Sequence, residues 1–252
     1  MKKTKWSLYR DFAWTEHIIG PPEQYVEETE LFCEIIKENS KIELKTLLHL
    51  GCGAGGHDYS FKKHFEVIGL DISEDMLEIA RKLNPEVTYR SGDMRTIELE
   101  EPFDAVAIPD SIGHMTTIED LQKTISTAAR HLKSGGVLLI VSPVKEVFKE
   151  NNFIYTGSKG DVEIILFENN YVPDPAGITY EATAVFLIRR KGKLEIHSDT
   201  ETLGLFKLST WLDLLKEKGF EVKHMDFNHA YDPFVVGPGT YPLSIFVCCK
   251  PL

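Results

Sequence analysis

The segment Thr46-Leu-Leu-His-Leu-Gly-Cys-Gly-Ala-Gly-Gly-His57 passes from a short apolar run directly into four glycines. Glycine allows a turn with φ above zero and lets a ligand approach the backbone closely, because it has no Cβ. A strand, a glycine-rich turn and a helix in this order are typical of nucleotide-type sites. Gly51, Gly53 and Gly56 fit the G-x-G-x-x-G pattern, and Asp71 follows about 20 residues later, as in dinucleotide sites. S-adenosylmethionine uses the same arrangement, so the glycine loop alone leaves the cofactor open.

Length, charge and cysteine content limit the class of protein. The 252 residues are enough for one large α/β domain or two small ones, and their net charge is -11. This acidity argues against nucleic acid as the main partner, because nucleic-acid binders concentrate basic charge on one surface. No run approaches the roughly 18 apolar residues of a membrane helix, and we therefore expect a cytoplasmic protein without a membrane partner. The four cysteines lack zinc-site spacing, so we expect reduced thiols and no metal.

Five short apolar segments alternate with helical patterns in the first part of the chain. They are nearly continuous in apolar residues, which is typical of parallel strands buried on both faces. The pattern predicts a doubly wound, Rossmann-like α/β core with helices on both faces. Two further strands after a late helix complete a mostly parallel sheet of seven. The predicted strands cover residues 46–50, 67–71, 87–90, 103–108, 137–141, 220–227 and 243–250.

The pattern changes after Pro143. Residues 161–167, 179–190 and 193–198 alternate polar and apolar side chains, which is typical of antiparallel strands with one wet face. We interpret residues 144–205 as an antiparallel β cover inserted in a single domain that spans residues 1–252. Residues 1–40 are expected to form an N-terminal arm and a helix. The exposed strand edges of the insert favour pairing with a second copy, so we predict a homodimer.

Acidic residues after the second and third strands discriminate between the cofactors. Ligands of open α/β sheets bind beyond the carboxyl ends of the strands. Asp71 can accept from ribose hydroxyls of either cofactor, or it can serve as a helix-cap acid beside Ser73. Asp93, in Gly92-Asp93-Met94, can accept from an adenine amine, whereas a pyrophosphate would be repelled by a second acid. The sequence therefore favours S-adenosylmethionine, which is cationic and has no phosphate.

Several motifs in order resemble those of class I S-adenosylmethionine-dependent methyltransferases. They are Leu47-Leu-His-Leu-Gly-Cys-Gly-Ala-Gly55, Gly69-Leu-Asp-Ile-Ser73, Gly92-Asp-Met94, Phe103-Asp-Ala-Val106 and Leu132-Lys-Ser-Gly-Gly-Val-Leu-Leu139. The resemblance covers about residues 22–142 and implies the Rossmann-like fold and this cofactor. More narrowly, Ser111-Ile-Gly-His-Met115, Leu203-Gly-Leu-Phe206 and the helix over 211–220 resemble N-methyltransferases that dimethylate amino sugars. This implies a small-molecule acceptor, with methylation at the nitrogen of an amine or amino sugar.

The resemblance also implies a set of cofactor-binding residues. Two positions depart from the family pattern. His49 stands where the family usually has an acid near the methionine end of the cofactor, and Asp110 stands where the amino-sugar enzymes tend to have a small polar residue. The expected cofactor-binding residues are His49, Gly51, Cys52, Gly53, Asp71, Ile72, Met76, Gly92, Asp93, Met94 and Pro109, with Trp14 and Tyr25 from the N-terminal arm.

Methyl transfer to nitrogen needs a neutral amine held about 3 Å from the methyl carbon. His114 is the candidate to accept the amine proton or to orient the amine, because imidazole titrates near neutrality. The alternative is that His114 only packs or bonds a loop carbonyl. Tyr9 and Asp110 are the candidate substrate residues, although Tyr9 could simply pack and Asp110 could cap the following helix.

Three other functions remain open at this stage. An O-methyltransferase shares every donor-site motif, because these motifs describe the cofactor more than the acceptor. The histidine at position 49 is consistent with a methyltransferase-like protein that binds the cofactor or another protein without transferring a methyl group. An NAD-dependent oxidoreductase would use the same glycine loop.

Overall fold

The computed structural model describes residues 7–228, 230–237 and 240–252. The first six residues of the predicted arm lie outside the described residues. In chain order the helices and strands are α1 (Glu16–Ile19), α2 (Val26–Asn39), β1 (Thr46–Leu50), α3 (Asp58–Phe61), β2 (Glu66–Asp71), α4 (Glu74–Leu83), β3 (Thr88–Ser91), β4 (Phe103–Pro109), α5 (Ile118–Arg130), β5 (Leu132–Ser142), β6 (Asn151–Lys159), β7 (Val162–Tyr171), β8 (Thr179–Arg190), β9 (Lys193–Gly204), α6 (Leu208–Glu217), β10 (Glu221–Phe227) and β11 (Leu243–Cys249).

The central sheet has seven strands in the order β10-β11-β5-β4-β1-β2-β3. β1 pairs in parallel with β2 and β4, and β11 runs antiparallel to both of its neighbours. Every residue of β4 is buried, as expected for a strand covered on both faces. The predicted doubly wound, mostly parallel sheet is therefore confirmed. No helix of the described residues is long and apolar enough to cross a membrane.

Successive residues of the central strands point into two separate hydrophobic cores. On β1, Leu48 packs with Trp211 of α6 and with the apolar side of α5. Its neighbour Leu47 packs on the opposite face, with Phe32 of α2 and Leu77 of α4. This alternation follows from the two-residue period of a strand and leaves the carboxyl ends of the strands uncovered by the helices.

Two predicted boundaries differ from the structure. A strand was predicted over residues 137–141, but β5 begins at Leu132 and includes residues 133–136, where the register with β4 shifts and Gly135 has a φ of 78°. Such an irregularity lets the glycine pair stay within a strand. The insert also contains a fourth strand, β6, which its asparagines and glycine disguise in the sequence.

The insert forms a second, antiparallel sheet in the order β6-β7-β8-β9. Two of its glycines touch backbone from other parts of the fold. A Cβ on Gly157 of β6 would overlap the carbonyl of Ile18 in α1, and a Cβ on Gly204 of β9 would overlap the carbonyl of Met115. The arm and the loop after β4 are therefore held against the insert by direct backbone contact.

We expect Gly204→Ala to destabilise the protein by about 1–3 kcal/mol, because the new methyl group overpacks the contact with Met115. Denaturant unfolding measures the change. Gly113→Ala is the matched control, because Gly113 lies in the loop that contains Met115 and a Cβ there meets no atom within 4 Å. Equal stability of the Gly204→Ala and Gly113→Ala variants would contradict the close contact between the insert and the loop.

Candidate active site

The glycine loop follows β1 and folds back on the end of β2. Gly51 and Gly53 have φ values of 74° and 52°, and the third left-handed glycine is Gly55, at 78°. The Gly51 backbone N–H donates to the carbonyl of Leu70 at 2.7 Å. Gly56, the third glycine of the sequence pattern, instead packs against the ring of Tyr25. This loop needs glycine because a side chain at these angles would be strained.

Asp71 connects the end of β2 to the glycine loop. Its Oδ2 accepts from the Gly53 N–H at 2.8 Å, and its Oδ1 accepts from the Ser73 N–H at 2.8 Å. Burial raises the pKa of Asp71, while these two hydrogen bonds oppose the rise. The capping oxygen of α4 belongs to Ser73, which accepts from the Met76 N–H. Ile72, the residue after Asp71, is 58% exposed. Its apolar side chain could pack against the flat ring of a nucleobase.

Asp93 has a partner that the sequence did not reveal. Arg95 donates to its Oδ1 through Nε at 3.0 Å and to its Oδ2 through Nη2 at 2.5 Å. The hydrogen bonds from Arg95 lower the pKa of Asp93. Arg95 also bonds Asp120 at 2.9 Å, so the Asp93 carboxylate is fixed in orientation and an adenine amine would share it with the guanidinium.

His49 forms a buried pair with Asp58, the first residue of α3. The His49 Nδ1 lies 2.7 Å from Asp58 Oδ1, and the two side chains are 1% and 0% exposed. The His49 Nε2 and the Asp58 Oδ2 have no hydrogen-bond partner within the described residues. The acid that the family pattern has at position 49 is thus replaced by a histidine that holds a carboxylate from the next helix. The sequence analysis did not identify Asp58. The one signal for it was that a buried His49 would need a hydrogen-bond partner.

The loop after β4 carries Asp110 in a strained conformation. Its φ of 62° is unusual for a residue other than glycine, and strain of this kind concentrates at functional sites. The Asp110 side chain makes no capping hydrogen bond to the helical turn that follows. Burial, together with the charge of Glu28, raises the pKa of Asp110 to about 6. The Asp110 side chain is nevertheless exposed to solvent.

His114 lies on the same loop and is partly buried. Burial lowers the pKa of His114 to about 4, so the imidazole is neutral at pH 7. Its Nδ1 lies 3.9 Å from the Oε2 of Glu201 on β9, and its ring meets the Tyr9 ring edge-on at 5.3 Å. The Tyr9 carbonyl in turn accepts from the Ser73 hydroxyl. Tyr9 therefore connects the end of β2 with the loop after β4.

The remaining predicted residues divide into two groups. Tyr25 lies over Gly56, and the Met94 side chain reaches to within 2.9 Å of where a Cβ on Gly51 would be. Trp14 lies apart, where its ring stacks under the guanidinium of Arg190 on the insert at 4.3 Å. The residues packed around the glycine loop and the ends of β2 and β4 also include Cys52, Met76, Gly92 and Pro109.

Three glutamates from separate elements were not identified from the sequence. Glu16, Glu168 and Glu201 come from α1, β7 and β9, and burial raises the pKa of each to about 7. They come from three segments that are far apart in the sequence, so the sequence carries no signal that they lie near one another.

This sheet order, with a glycine loop after β1 and an acid after β2, defines the class I S-adenosylmethionine-dependent methyltransferase fold. Residues 47–136 match the family model of the methyltransferase domain. Residues 47–136 therefore carry the sequence pattern of a methyltransferase domain, and the resemblance inferred from the sequence is confirmed.

Solved structures and curated proteins agree with this assignment. The chain superposes on DesVI of Streptomyces venezuelae with a TM-score of 0.78, at 25% identity over 98% of this chain and 99% of that one. It superposes on an amino pentose methyltransferase from Micromonospora echinaspora, solved with bound S-adenosylmethionine, with a TM-score of 0.73, at 21% identity over 88% of this chain and 91% of that one.

In sequence, the chain is 36% identical over 124 residues to the dTDP-3-amino-3,4,6-trideoxy-alpha-D-glucopyranose N,N-dimethyltransferase of Streptomyces venezuelae. That match covers 48% of this chain and 52% of the relative. A dTDP-4-amino-2,3,4,6-tetradeoxy-D-glucose N,N-dimethyltransferase of Saccharopolyspora spinosa is 39% identical over 39% of this chain and 40% of its own length. The chain thus spans about half the length of the curated relatives it matches.

We expect His114→Ala to lower kcat well over tenfold, which raises the activation free energy by about 1.4 kcal/mol or more. The affinity for S-adenosylhomocysteine should stay unchanged. Steady-state kinetics and calorimetry measure the two effects. The control is His64→Ala, a histidine paired with Glu30 outside the site. Unchanged turnover of the His114→Ala variant would remove this residue from the mechanism.

We expect Asp58→Asn to cost roughly 1–3 kcal/mol of stability and to weaken S-adenosylhomocysteine binding by about tenfold, because it removes a buried charge beside the glycine loop. Thermal unfolding and calorimetry test both effects. Asp75→Asn, which changes an exposed acid in the first turn of α4, is the control. Wild-type affinity in the Asp58→Asn variant would show that the His49–Asp58 pair does not contribute to cofactor binding.

Proposed function

We propose that this protein transfers a methyl group from S-adenosylmethionine to the nitrogen of a small-molecule amine. The observation that carries the proposal is the placement of Asp110 and His114 on the loop after β4, which contacts the glycine loop through Ser111. An amine arrives as a cation and must lose a proton before it attacks. A carboxylate and a neutral imidazole are suited to those two tasks.

The residues around the glycine loop fit S-adenosylmethionine better than a dinucleotide. Asp71 and the buried Asp58 place two carboxyl groups beside this loop. They would repel a pyrophosphate and attract a sulfonium or an ammonium group. Asp71 would hold the ribose, and Ile72 would cover one face of the adenine. When bound, this cofactor supplies an electrophilic methyl group.

The chain's own residues would position the amine and take its proton. Asp110 holds the ammonium form, and His114 accepts a hydrogen bond from the nitrogen once it is neutral. Held by these two residues, the neutral nitrogen would be placed to attack the methyl group that bound S-adenosylmethionine would supply. With a pKa of about 7, Glu201 retains a proton better than His114 at about 4, and we assign it the role of proton store. Positioning and exclusion of water supply most of the acceleration.

Relatives named as sugar N,N-dimethyltransferases support nitrogen as the acceptor atom. Incubation with methyl-labelled S-adenosylmethionine and matched panels of amines, amino sugars and phenols tests this choice. We expect label in the amines alone. Label in phenols would indicate an O-methyltransferase, and no label in any acceptor would support a non-catalytic binding protein.

Calorimetry separates this proposal from an NAD-dependent oxidoreductase. We expect S-adenosylhomocysteine to bind with a micromolar Kd, about -8 kcal/mol, and NAD to bind at least tenfold more weakly. Asp71→Ala should weaken the first ligand by about tenfold, since one carboxylate faces both ribose hydroxyls. Tight NAD binding without S-adenosylhomocysteine binding would overturn the proposal.

We also propose that the protein is cytoplasmic and forms a homodimer through its insert. The four cysteines are free thiols, as a reducing compartment would keep them. β9 is an edge strand of the second sheet, and its Leu194 and Ile196 are 43% and 64% exposed. Exposed apolar edges favour pairing with another chain. A monodisperse monomer in light scattering at high concentration would contradict the dimer.

A further inference from the structure

Four carboxylates from different parts of the fold border the space between the carboxyl end of β4 and the second sheet, which contacts the loop after β4 at Gly204. Asp110 comes from the loop after this strand, and the others are Glu16, Glu168 and Glu201. Glu201 pairs in register with Ala182, and Ala182 pairs with Asn170, two residues from Glu168, so Glu168 and Glu201 project from the same face of the second sheet. His114, on the loop of Asp110, lies 3.9 Å from Glu201. The charge of Asp110 helps to raise the pKa of Glu168, and the charge of Glu168 helps to raise that of Glu201. We call this space the acidic chamber.

Aromatic side chains line the rest of the acidic chamber. Tyr241 meets Tyr231 edge-on at 5.9 Å and Phe153 edge-on at 5.0 Å. Tyr155 packs against Phe234 at 5.0 Å. Burial raises the pKa of Tyr155 and Tyr241 well above the ordinary value, and both glutamate and aspartate charges of the chamber add to the rise. Tyrosine faces attract cations, and these phenols remain neutral at pH 7.

A buried amide supplies an independent sign of a missing hydrogen-bond donor. Asn170 is 1% exposed and lies on the same face of β7 as Glu168, two residues away. Its Nδ2 donates to Glu168 Oε1 at 3.0 Å and to Asn151 Oδ1 at 3.1 Å, which fixes the orientation of the amide. The Asn151 Nδ2, a donor, has no hydrogen-bond partner within the described residues, and the same holds for two other atoms, the Asn170 Oδ1 and the Glu201 Oε1. Both of these oxygen atoms are acceptors, so a ligand that satisfies them must donate hydrogen bonds.

Positive charge is scarce around these carboxylates. Within the described part of the chain, no lysine or arginine forms an ion pair with any of the four carboxylates, and the ion-pair distance found is 3.9 Å, between Glu201 and the imidazole of His114. The histidine whose charge acts on Asp110 is His57. His57 is itself bound to Glu28 at 2.8 Å. A cationic ligand would relieve the mutual repulsion of the carboxylates, whereas a phosphate would add to it.

We infer that the acidic chamber binds the methyl acceptor as an ammonium ion that carries no phosphate group, an inference that rests on the proposed methyl transfer. The relatives are named for dTDP-linked amino sugars, whose two phosphates would meet these carboxylates. The acceptor of this chain is therefore a free amine or a free amino sugar. A compound with two amino groups fits best, because one nitrogen can face the glycine loop while the other is held deeper, near Glu168.

Calorimetry on the S-adenosylhomocysteine-saturated protein tests this acceptor class with four probes. They are glucosamine, the diamine 2-deoxystreptamine, neutral N-acetylglucosamine and the nucleotide-linked UDP-glucosamine. We expect both free amines to bind at least about tenfold more tightly than the neutral compound and UDP-glucosamine. Equal or tighter binding of UDP-glucosamine, or no advantage of the free amines over the neutral compound, would overturn the inference.

A pair of variants on β7 locates the effect. Glu168→Gln should weaken 2-deoxystreptamine by more than about tenfold, while Glu163→Gln, an exposed acid on the opposite face of the strand, should not change it. Both should keep wild-type S-adenosylhomocysteine affinity and wild-type thermal stability as evidence of folding. Equal 2-deoxystreptamine affinity in the two variants would contradict a role for Glu168. If the wild-type protein does not bind S-adenosylhomocysteine, that result counts against the proposed function. Titrations of the amines in the absence of S-adenosylhomocysteine would then still test whether the acidic chamber binds them.

Discussion

The contact between Ser111 and the end of β1 determines how the two halves of the site meet. The Ser111 hydroxyl donates to the Leu50 carbonyl at 2.9 Å, in a space that stays open only because Gly51 has no Cβ. The glycine loop and the loop after β4 are thereby joined through backbone and one small side chain. Since in-line methyl transfer depends on placing two reactants about 3 Å apart, this contact sets the distance between the donor and the acceptor sides.

The insert turns the open end of the sheet into an enclosed space. It contacts the arm at Gly157 and the loop of His114 at Gly204, in both cases too closely for a side chain. Burial removes water from the chamber glutamates, which is why the pKa values of Glu168 and Glu201 are raised. It also keeps His114 neutral. The same exclusion of water thus produces an acidic chamber for a cation and a neutral group for the nitrogen that attacks.

The parallel core and the glycine loop were predictable because they depend on local patterns, namely short apolar runs and glycines after the first of them. The strand β6 was missed because its asparagines and glycine hide the alternation. Asp58 and Glu168 could not be found from sequence, since their importance comes from neighbours that only folding brings together. For the same reason the sequence did not show that Arg95 holds Asp93 or that the Arg190 guanidinium lies over the Trp14 ring, so the cofactor roles given to Asp93 and Trp14 remain predictions.

A crystal structure of the protein with S-adenosylhomocysteine and 2-deoxystreptamine tests most directly whether the acidic chamber opens onto the glycine loop. The structure described above predicts the cofactor sulfur beside Gly51 and an amine nitrogen between Asp110 and His114, within about 5 Å of that sulfur, since the transferred methyl group must fit between them. The second amine would lie near Glu168. An amine bound outside the chamber, or a cofactor bound away from the glycine loop, would contradict this account.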